Sequence, residues 1–177
     1  AGVGERGIAA LMDTSYSKAT ISADRGQKSY KYSLEKFMQV RGAETIVAQG
    51  RKRKAQNPGF YRSLEQSYGV PAGVLIAIHG METGFGRDTG NTNVISAIST
   101  LAFDCRRSEY FPAHLLAALV LGAGGVTPTA STGAKHGEIG HTQFLPGSVL
   151  AYGVDGNGDG HIDLNTQADA PASTANF

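Results

Sequence analysis

The stretch HGMETGFG, residues 79–86, closes an apolar run that begins at Pro71. Proline suits the first position of a helix, and residues 71–81 are apolar on every face, which predicts a buried helix over that range. Glu82 would then lie where an interior helix ends. Partial burial and the negative end of the helix dipole both disfavour an ionised carboxylate, so we expect both to raise the pKa of Glu82.

A carboxylic acid that stays protonated near neutral pH can give a proton to a poor leaving group such as a glycosidic oxygen. Gly84 and Gly86 lack side chains, so they would let backbone and substrate come close to Glu82. The alternative interpretation of this stretch is an exposed and inert glutamate at a helix end.

The length and charge of the chain limit the classes of protein to which it can belong. The chain has 177 residues, enough for one domain with a sizeable core and a small appendage. Its 16 basic and 15 acidic side chains nearly cancel, which argues against nucleic acid as a partner. Cys105 is the single cysteine, so no internal disulfide can form, and we expect a small buried side chain.

The sequence has neither an apolar run long enough to span a membrane nor a signal pattern at its start. If the protein is exported, we expect its targeting segment to be absent from this chain.

The periodicity of apolar residues predicts a mainly α fold, because no alternation of period two occurs before Gly133. Asn57 and Asn93 are predicted to cap helices, and Gly69 to end one. Residues 1–22 predict a modest helix followed by a polar arm. The basic run at 51–54 indicates a solvated face or a surface that contacts a polyanion. Further helices are predicted at 33–40, 43–55, 58–68, 94–102 and 107–122, with a loop at 124–133.

A second informative stretch is GEIGHTQFLP, residues 137–146. Gln143 has apolar neighbours and offers donors and acceptors that suit sugar hydroxyl and acetamido groups. Alternatively, its amide satisfies nearby backbone. Glu138 is a second carboxylate that could pair with Glu82, as in two-carboxylate glycosidases, or could be a structural or surface residue.

The third stretch, DGNGDGHID at residues 155–163, resembles the first part of an EF-hand calcium loop. Oxygen-bearing side chains stand at positions 1, 3 and 5, and position 7 would contribute a carbonyl: Asp155, Asn157, Asp159 and His161. Position 12 is Thr166 rather than glutamate, and Asp169 is the nearest carboxylate downstream. A turn without metal is the alternative, and a calcium ion would brace the loop rather than take part in chemistry.

Six short runs occur in this order in the lytic murein transglycosylase B family, glycoside hydrolase family 103. They are YGVP at 68–71, GMETGFG at 80–86, TGN at 89–91, LAFD at 101–104, GHTQFLP at 140–146 and DGNGDGHID at 155–163. The sequence is identified as a member of that family across nearly its whole length.

This resemblance implies a bacterial cell-envelope enzyme with a lysozyme-like α core and a small EF-hand-like calcium loop. It would cleave the β-1,4 bond between N-acetylmuramic acid and N-acetylglucosamine in peptidoglycan and form 1,6-anhydromuramic acid. Glu82 would be the sole acid and base, with substrate contacts from Gln143, Phe144, Glu138 and Phe37. Asp169 would close the family's longer calcium loop, so we expect a structural Ca²⁺ held by Asp155, Asn157, Asp159, His161 and Asp169.

The resemblance also implies an organisation and a setting. Residues 1–56 would form an N-terminal helical part, 57–150 the catalytic core, and 151–177 a calcium-loop region that continues past Phe177. We expect a monomer acting on peptidoglycan glycan strands in the periplasm or cell envelope of a Gram-negative bacterium.

Two departures from the family pattern weaken parts of this assignment. Residues 134–137 read AKHG where many members have Ser-Tyr/Trp-Ala-Gly, so a serine of the groove is missing. Residues 34–37 read LEKF in place of Phe-Trp-Asp-Tyr, so Phe37 can stack on a sugar but offers no phenol. Two alternatives therefore stay open: a muramidase that uses water, and a non-catalytic, calcium-dependent peptidoglycan-binding module.

Overall fold

The computed structural model describes residues 2–26, 29–124 and 132–177. These residues form a mainly α fold, as predicted. Its helices are α1 (Glu5–Met12), α2 (Lys18–Arg25), α3 (Leu34–Arg41), α4 (Ala43–Gln56), α5 (Pro58–Tyr68), α6 (Ala72–Thr83), α7 (Val94–Phe103), α8 (Phe111–Gly124), α9 (Pro146–Tyr152) and α10 (Asp169–Asn176). Short 3₁₀ turns lie at Ser29–Lys31 and Cys105–Arg107.

Two short strands, β1 (Thr92–Asn93) and β2 (Thr132–Gly133), pair antiparallel with Thr92 opposite Gly133. This ladder attaches the segment after β2 to the start of α7. Two-residue strands carry too few side chains to show a period of two, which explains why the sequence pattern did not reveal them.

Helix ends follow the local chemistry of their capping residues. The side chains of Ser33 and Asn93 accept hydrogen bonds from the backbone N–H groups of the third residues of α3 and α7. Gly69 ends α5 in the left-handed conformation, with φ of 72°. Asn57 precedes α5 as predicted, but its side chain makes no capping hydrogen bond.

Several predicted boundaries are wrong. Pro71 precedes α6 as its N-cap instead of opening it, and α8 begins at Phe111 rather than at residue 107. The expected polar arm contains α2, while α9 and α10 were not predicted. Of the predicted loop at 124–133, residues 125–131 lie outside the described residues.

Two predictions about burial are also wrong. Helix α6 is not buried on every face, because Val74 is 47% exposed. Cys105 is exposed, since it lies in the 3₁₀ turn between α7 and α8.

The main core lies between α7 and α8, where Val94, Ile98 and Phe111 are almost fully buried. Ile139, Phe144 and Leu164 bring the later part of the chain into the same core. Two smaller apolar clusters surround α6: one joins it to α4 and α5, and the other joins it to α5 and α10. Helix α6 is therefore held from several sides, which fixes the position of its C-terminal end.

Among the described residues, no helix combines the length and the apolar character needed to cross a membrane. The division of the chain at residues 56 and 150 stays a prediction.

Candidate active site

Glu82 lies in the last turn of α6, where the chain reverses direction. Gly84, Phe85 and Gly86 all have left-handed backbone, with φ of 61°, 66° and 85°. The N–H of Gly84 donates to the carbonyl of Gly80 at 3.0 Å, and the N–H of Phe85 donates to that of His79 at 3.1 Å. This pair of bonds is the arrangement that commonly ends a helix at glycine, and it places Glu82 at the edge of the turn.

The ring of Phe85 anchors this turn. It is 4% exposed and packs among residues of α4, α5 and α6. The guanidinium carbon of Arg53 lies 4.6 Å from the centre of its ring, a cation–π distance. A bulky residue with positive φ is unusual, and this burial explains how the backbone is held there.

A groove of about 520 Å³ passes Glu82. Its walls come from the end of α3, the start of α4 and the turn after α6. The residues that line it include Arg41, Thr45, Gln49, Met81, Glu82, Arg87 and Asp88. Glu82 therefore shares the groove with one other carboxylate and two arginines, none of which the sequence pattern indicated.

The surroundings of Glu82 raise the pKa of its carboxyl group, as predicted. Desolvation is the main cause, Arg41 acts in the opposite direction, and Glu138 adds to the increase. The residue itself remains exposed to the groove, so desolvation acts on only part of the side chain. A carboxyl group that faces a groove and keeps its proton to a higher pH than an ordinary glutamate is suited to donate a proton to a bound substrate.

Arg41 contacts both Phe37 and the residue that precedes Glu82. Its Nη1 donates to the carbonyl of Met81 at 3.1 Å, and its guanidinium carbon lies 5.5 Å from the centre of the Phe37 ring. Phe37 is partly buried and lies beside the groove rather than among the residues that line it.

The segment that carries Gln143 packs against the end of α6. The hydroxyl of Thr83 donates to the carbonyl of His141 at 2.6 Å, two residues before Gln143. Gln143 has φ of 56° and sits in a tight turn closed by backbone bonds between Ile139 and Phe144 at 2.7 and 3.0 Å. Its Nε2 donates to the carbonyl of Gly140 at 3.0 Å, so part of the amide satisfies its own backbone.

Phe144 does not lie on the groove, contrary to the sequence-based prediction. Its side chain is 8% exposed, belongs to the main core and packs edge-on against Phe177 with ring centres 5.7 Å apart. The left-handed turn at Gln143 directs the next residue inward, which sequence alone did not reveal.

Glu138 is held by His136. The Nδ1 of His136 lies 3.3 Å from one carboxylate oxygen, and its backbone N–H donates to the other at 3.1 Å. Burial acts to raise the pKa of Glu138, but the hydrogen bonds from His136 outweigh it and hold that pKa below its ordinary value. Glu138 is thus an anion fixed near Glu82, and the His-x-Glu spacing was the signal for this pair.

The sequence pattern also gave no indication of two buried histidines that contact each other. His79 is 0% exposed and His141 6% exposed, and His79 Nε2 lies 3.1 Å from His141 Nδ1. His79 opens the motif that ends in Glu82, but its partner is 62 residues away in the sequence, so no local pattern pairs them.

The predicted calcium loop forms a compact turn. The carboxylate of Asp155 accepts hydrogen bonds from the N–H groups of Gly158 and Gly160 at 2.6 and 2.7 Å, and these bonds, that of Gly160 first, lower its pKa. Asp169 is 1% exposed and accepts from the N–H groups of Gly156 and Asp163 at 2.9 and 2.8 Å.

The described residues do not gather three or more His, Cys, Asp or Glu side chains in a metal-binding arrangement. Asn157 and Asp159 bond to each other at 2.9 Å. The chemistry of the donor set nevertheless suits Ca²⁺, because every predicted ligand offers an oxygen atom.

A second groove, of about 560 Å³, lies among α1, α7 and α8. Its lining is mainly apolar and includes Leu11, Phe103, Pro112 and Leu115. The residues that line it include no carboxylate, imidazole or amine, so this second groove is not suited to acid–base chemistry.

Proteins that are similar in structure include lytic transglycosylases. The chain is 35% identical to SltB3 of Pseudomonas aeruginosa, solved in complex with NAG-anhNAM-pentapeptide, with a TM-score of 0.88 over 99% of this chain and 48% of that chain. It is 28% identical to the lytic transglycosylase Slt35 of Escherichia coli, solved in complex with calcium, with a TM-score of 0.76 over 94% of this chain and 54% of that chain.

Sequence comparison agrees with the structural comparison. Over 114 residues the chain is 40% identical to membrane-bound lytic murein transglycosylase B of Escherichia coli strain K12, covering 63% of this chain and 32% of the relative. The chain thus spans about a third of that relative and about half of the similar structures. A family model described as the transglycosylase SLT domain matches residues 1–177, and the chain belongs to that family.

Proposed function

We propose that this domain cleaves peptidoglycan as a lytic transglycosylase, between N-acetylmuramic acid and N-acetylglucosamine. The observation that carries the proposal is Glu82, whose carboxyl has a raised pKa and faces a groove of about 520 Å³. The names of the relatives support it, since they are lytic transglycosylases and one was solved with a NAG-anhNAM-pentapeptide.

Glu82 acts twice in the proposed reaction. As an acid it protonates the glycosidic oxygen, and the bond from that oxygen to C1 of the muramoyl residue breaks. As a base, the resulting carboxylate takes the proton from the C6 hydroxyl, whose oxygen bonds to C1 and closes the 1,6-anhydro ring. The muramoyl acetamido group can stabilise C1 between the two steps, so a second protein carboxylate is not required.

The residues around Glu82 have separate roles in this proposal. Arg41 contacts the backbone of Met81 and, after the first step, stabilises the Glu82 carboxylate by its charge. Gln143 hydrogen-bonds the sugar through the part of its amide that does not bind Gly140, and Phe37 stacks on a sugar ring beside the groove.

A muramidase is the second candidate, and Glu138 is the observation that favours it. His136 holds Glu138 as an anion, and Glu138 is close enough to influence the pKa of Glu82. A fixed anion could take a proton from water, which would then attack C1 in place of the C6 hydroxyl.

Digestion of purified peptidoglycan sacculi, followed by mass spectrometry, distinguishes these functions. A transglycosylase releases anhydromuramoyl fragments, whereas a muramidase releases fragments that are one water heavier. Glu82→Gln keeps the side-chain shape and should reduce turnover to background with a melting temperature no lower than that of the wild-type chain. Near-normal turnover in that variant would reject the assignment of Glu82, and binding without release of fragments would indicate a non-catalytic module.

We propose in addition that Ca²⁺ braces the loop after α9. Its ligands would be the side chains of Asp155, Asn157, Asp159 and Asp169 and the carbonyl of His161, and the ion would supply charge neutralisation and rigidity. A similar structure was solved in complex with calcium, which supports the proposal.

Calcium binding is tested by thermal unfolding with added CaCl₂. A ligand that binds only the folded state stabilises it by about 2.7 kcal/mol at 100 times its Kd, so the melting temperature should rise with calcium. Asp159→Asn should abolish that rise, whereas Asp13→Asn, at the end of α1 and outside the proposed ligand set, should leave it intact. An equal response to MgCl₂, or no response in the wild-type chain, would contradict a specific calcium site.

The proposed substrate also sets the proposed location. Peptidoglycan is part of the bacterial cell envelope, so we place the enzyme there, in the periplasm if the bacterium is Gram-negative.

A further inference from the structure

Two histidines that the proposed reaction does not use form a buried pair behind Glu82. Their rings are close to parallel, with an interplanar angle of 22° and centres 5.1 Å apart, and His79 Nε2 lies 3.1 Å from His141 Nδ1. His79 is three residues before Glu82 on α6, and His141 is two residues before Gln143. The pair thus joins the helix that carries the proposed acid to the segment that carries the proposed sugar-binding amide.

The hydrogen bond requires a defined tautomer of each ring. Between two neutral imidazoles, one nitrogen must donate and the other must accept. Within the described part of the chain, Nδ1 of His79 is buried and has no partner. A buried N–H without a partner is rarer than an unpaired acceptor, which favours a proton on Nε2 of His79 and none on Nδ1 of His141.

Both rings are suited to remain neutral. Desolvation, followed by the charges of His141 and Arg53, lowers the pKa of His79 to about 3. Desolvation also lowers the pKa of His141, with Asp163 acting to raise it and Arg53 to lower it. Burial therefore favours the neutral form of both rings, which the hydrogen bond between them requires.

Further contacts hold the end of α6 against the segment that carries Gln143. The hydroxyl of Thr83 donates to the backbone carbonyl of His141 and accepts from the N–H of Gly86 at 2.8 Å. Gly86 leaves room for the imidazole, because a Cβ there would lie 2.2 Å from Nε2 of His141. On the other side, Phe85 packs edge-on against His79 with ring centres 5.3 Å apart.

We propose that His79 and His141 are positioning residues for glycan cleavage, and that their directional hydrogen bond fixes the Gln143 segment relative to the Glu82 carboxyl. Neither ring donates to or accepts from the sugar in this role. The inference rests on the proposed function, because it concerns the same site. A displacement of about 1 Å at a reacting centre can reduce turnover about 100-fold, so we expect loss of the bond to reduce kcat by about 10- to 100-fold.

The test compares substitutions that remove the bond with substitutions that keep it. His79→Leu and His141→Phe, made singly and together, replace the imidazoles by apolar groups. His79→Gln keeps an N–H near the place of Nε2, and His141→Asn keeps an acceptor near the place of Nδ1. For each variant, kcat and KM are measured on soluble glycan strands, and the melting temperature is measured in parallel.

The single apolar variants should lose kcat by about 10- to 100-fold while KM changes only a few-fold. The double apolar variant should recover melting temperature, because no buried polar group is left without its partner, yet its kcat should stay low. The Gln and Asn variants should keep kcat within a few-fold of wild type. A purely structural role would instead make kcat follow the melting temperature.

A double apolar variant with wild-type kcat would overturn this inference alone, since packing would then suffice to position the segment. A wild-type chain that releases no fragments would overturn both the inference and the proposed function. If the apolar variants fail to fold, the comparison of kcat between His79→Gln and His79→Asn tests the inference. Asn is too short to place its N–H where Nε2 of His79 lies, so only the Gln variant keeps the bond. Equal kcat in those two variants would overturn the inference.

Discussion

At the scale of single residues, the fit between Gly86 and His141 gives a sharp prediction. Gly86→Ala puts a side chain at φ of 85° and places its Cβ 2.2 Å from the imidazole of His141. Left-handed backbone costs a non-glycine residue about 1–2 kcal/mol, and overpacking adds about 1–3 kcal/mol. We expect Gly86→Ala to lower the free energy of unfolding by about 2–5 kcal/mol, measured by urea denaturation.

Gly69→Ala is the matched control. Gly69 has φ of 72°, but nothing lies within 4 Å of a Cβ added there, so this variant has the backbone cost without the collision. It should lower the free energy of unfolding by about 1–2 kcal/mol. Equal losses in the two variants would show that the imidazole yields to the new methyl group.

The local sequence around Glu82 predicts some features of the site and leaves others unpredicted. The position of Glu82 and the direction of its pKa shift follow from local features, an apolar run that ends in glycines. The partners of Glu82 do not, because Arg41 and Glu138 come from other elements and reach it only through the fold. Phe144 was misplaced for a related reason: its direction depends on the left-handed backbone of Gln143, which favours glycine and is rare for glutamine.

At the scale of elements, α5 and α7 offer a direct comparison of two predicted asparagine caps. The Oδ1 of Asn93 accepts from the N–H of Ser96 at 2.8 Å, whereas Asn57 makes no capping bond. Loss of a cap costs about 0.5–2 kcal/mol, so Asn93→Ala should lower the free energy of unfolding by about 1 kcal/mol. Asn57→Ala should lower it by clearly less in the same urea titration, and a larger loss than that of Asn93→Ala would contradict this account of the caps.

The comparison also explains which elements could be predicted. Helix α7 has both a working cap and apolar residues at helical spacing, and it was predicted nearly to its ends. Helix α10 has neither: its buried residues are mostly small, such as Ala170 and Ala172, and Pro171 stands inside its first turn. It is stabilised by contacts with α5, α6 and α9, and such tertiary support leaves no pattern in the local sequence.

At the scale of the whole molecule, the buried histidines predict a loss of stability in acid. In an unfolded chain they bind protons near pH 6.5, whereas the pKa of His79 in the folded chain is about 3 and that of His141 is also lowered. Between these values the unfolded chain binds more protons, so acid favours unfolding. Arg53 and Asp163 are the charged groups that act on the pair, in opposite directions for His141.

We therefore expect the free energy of unfolding to fall as the pH drops from 6.5 towards 3, by up to about 1.4 kcal/mol per pH unit for each such histidine. Urea denaturation at pH 4, 5, 6 and 7 measures this slope. His79→Gln removes one of the two titrating imidazoles and should flatten the dependence of the free energy of unfolding on pH. Glu82→Gln should make that dependence steeper. The reason is that Glu82 has a raised pKa, so the folded chain gains stability as its carboxyl takes up a proton. An unchanged slope in His79→Gln would show that His79 is not held neutral by the fold.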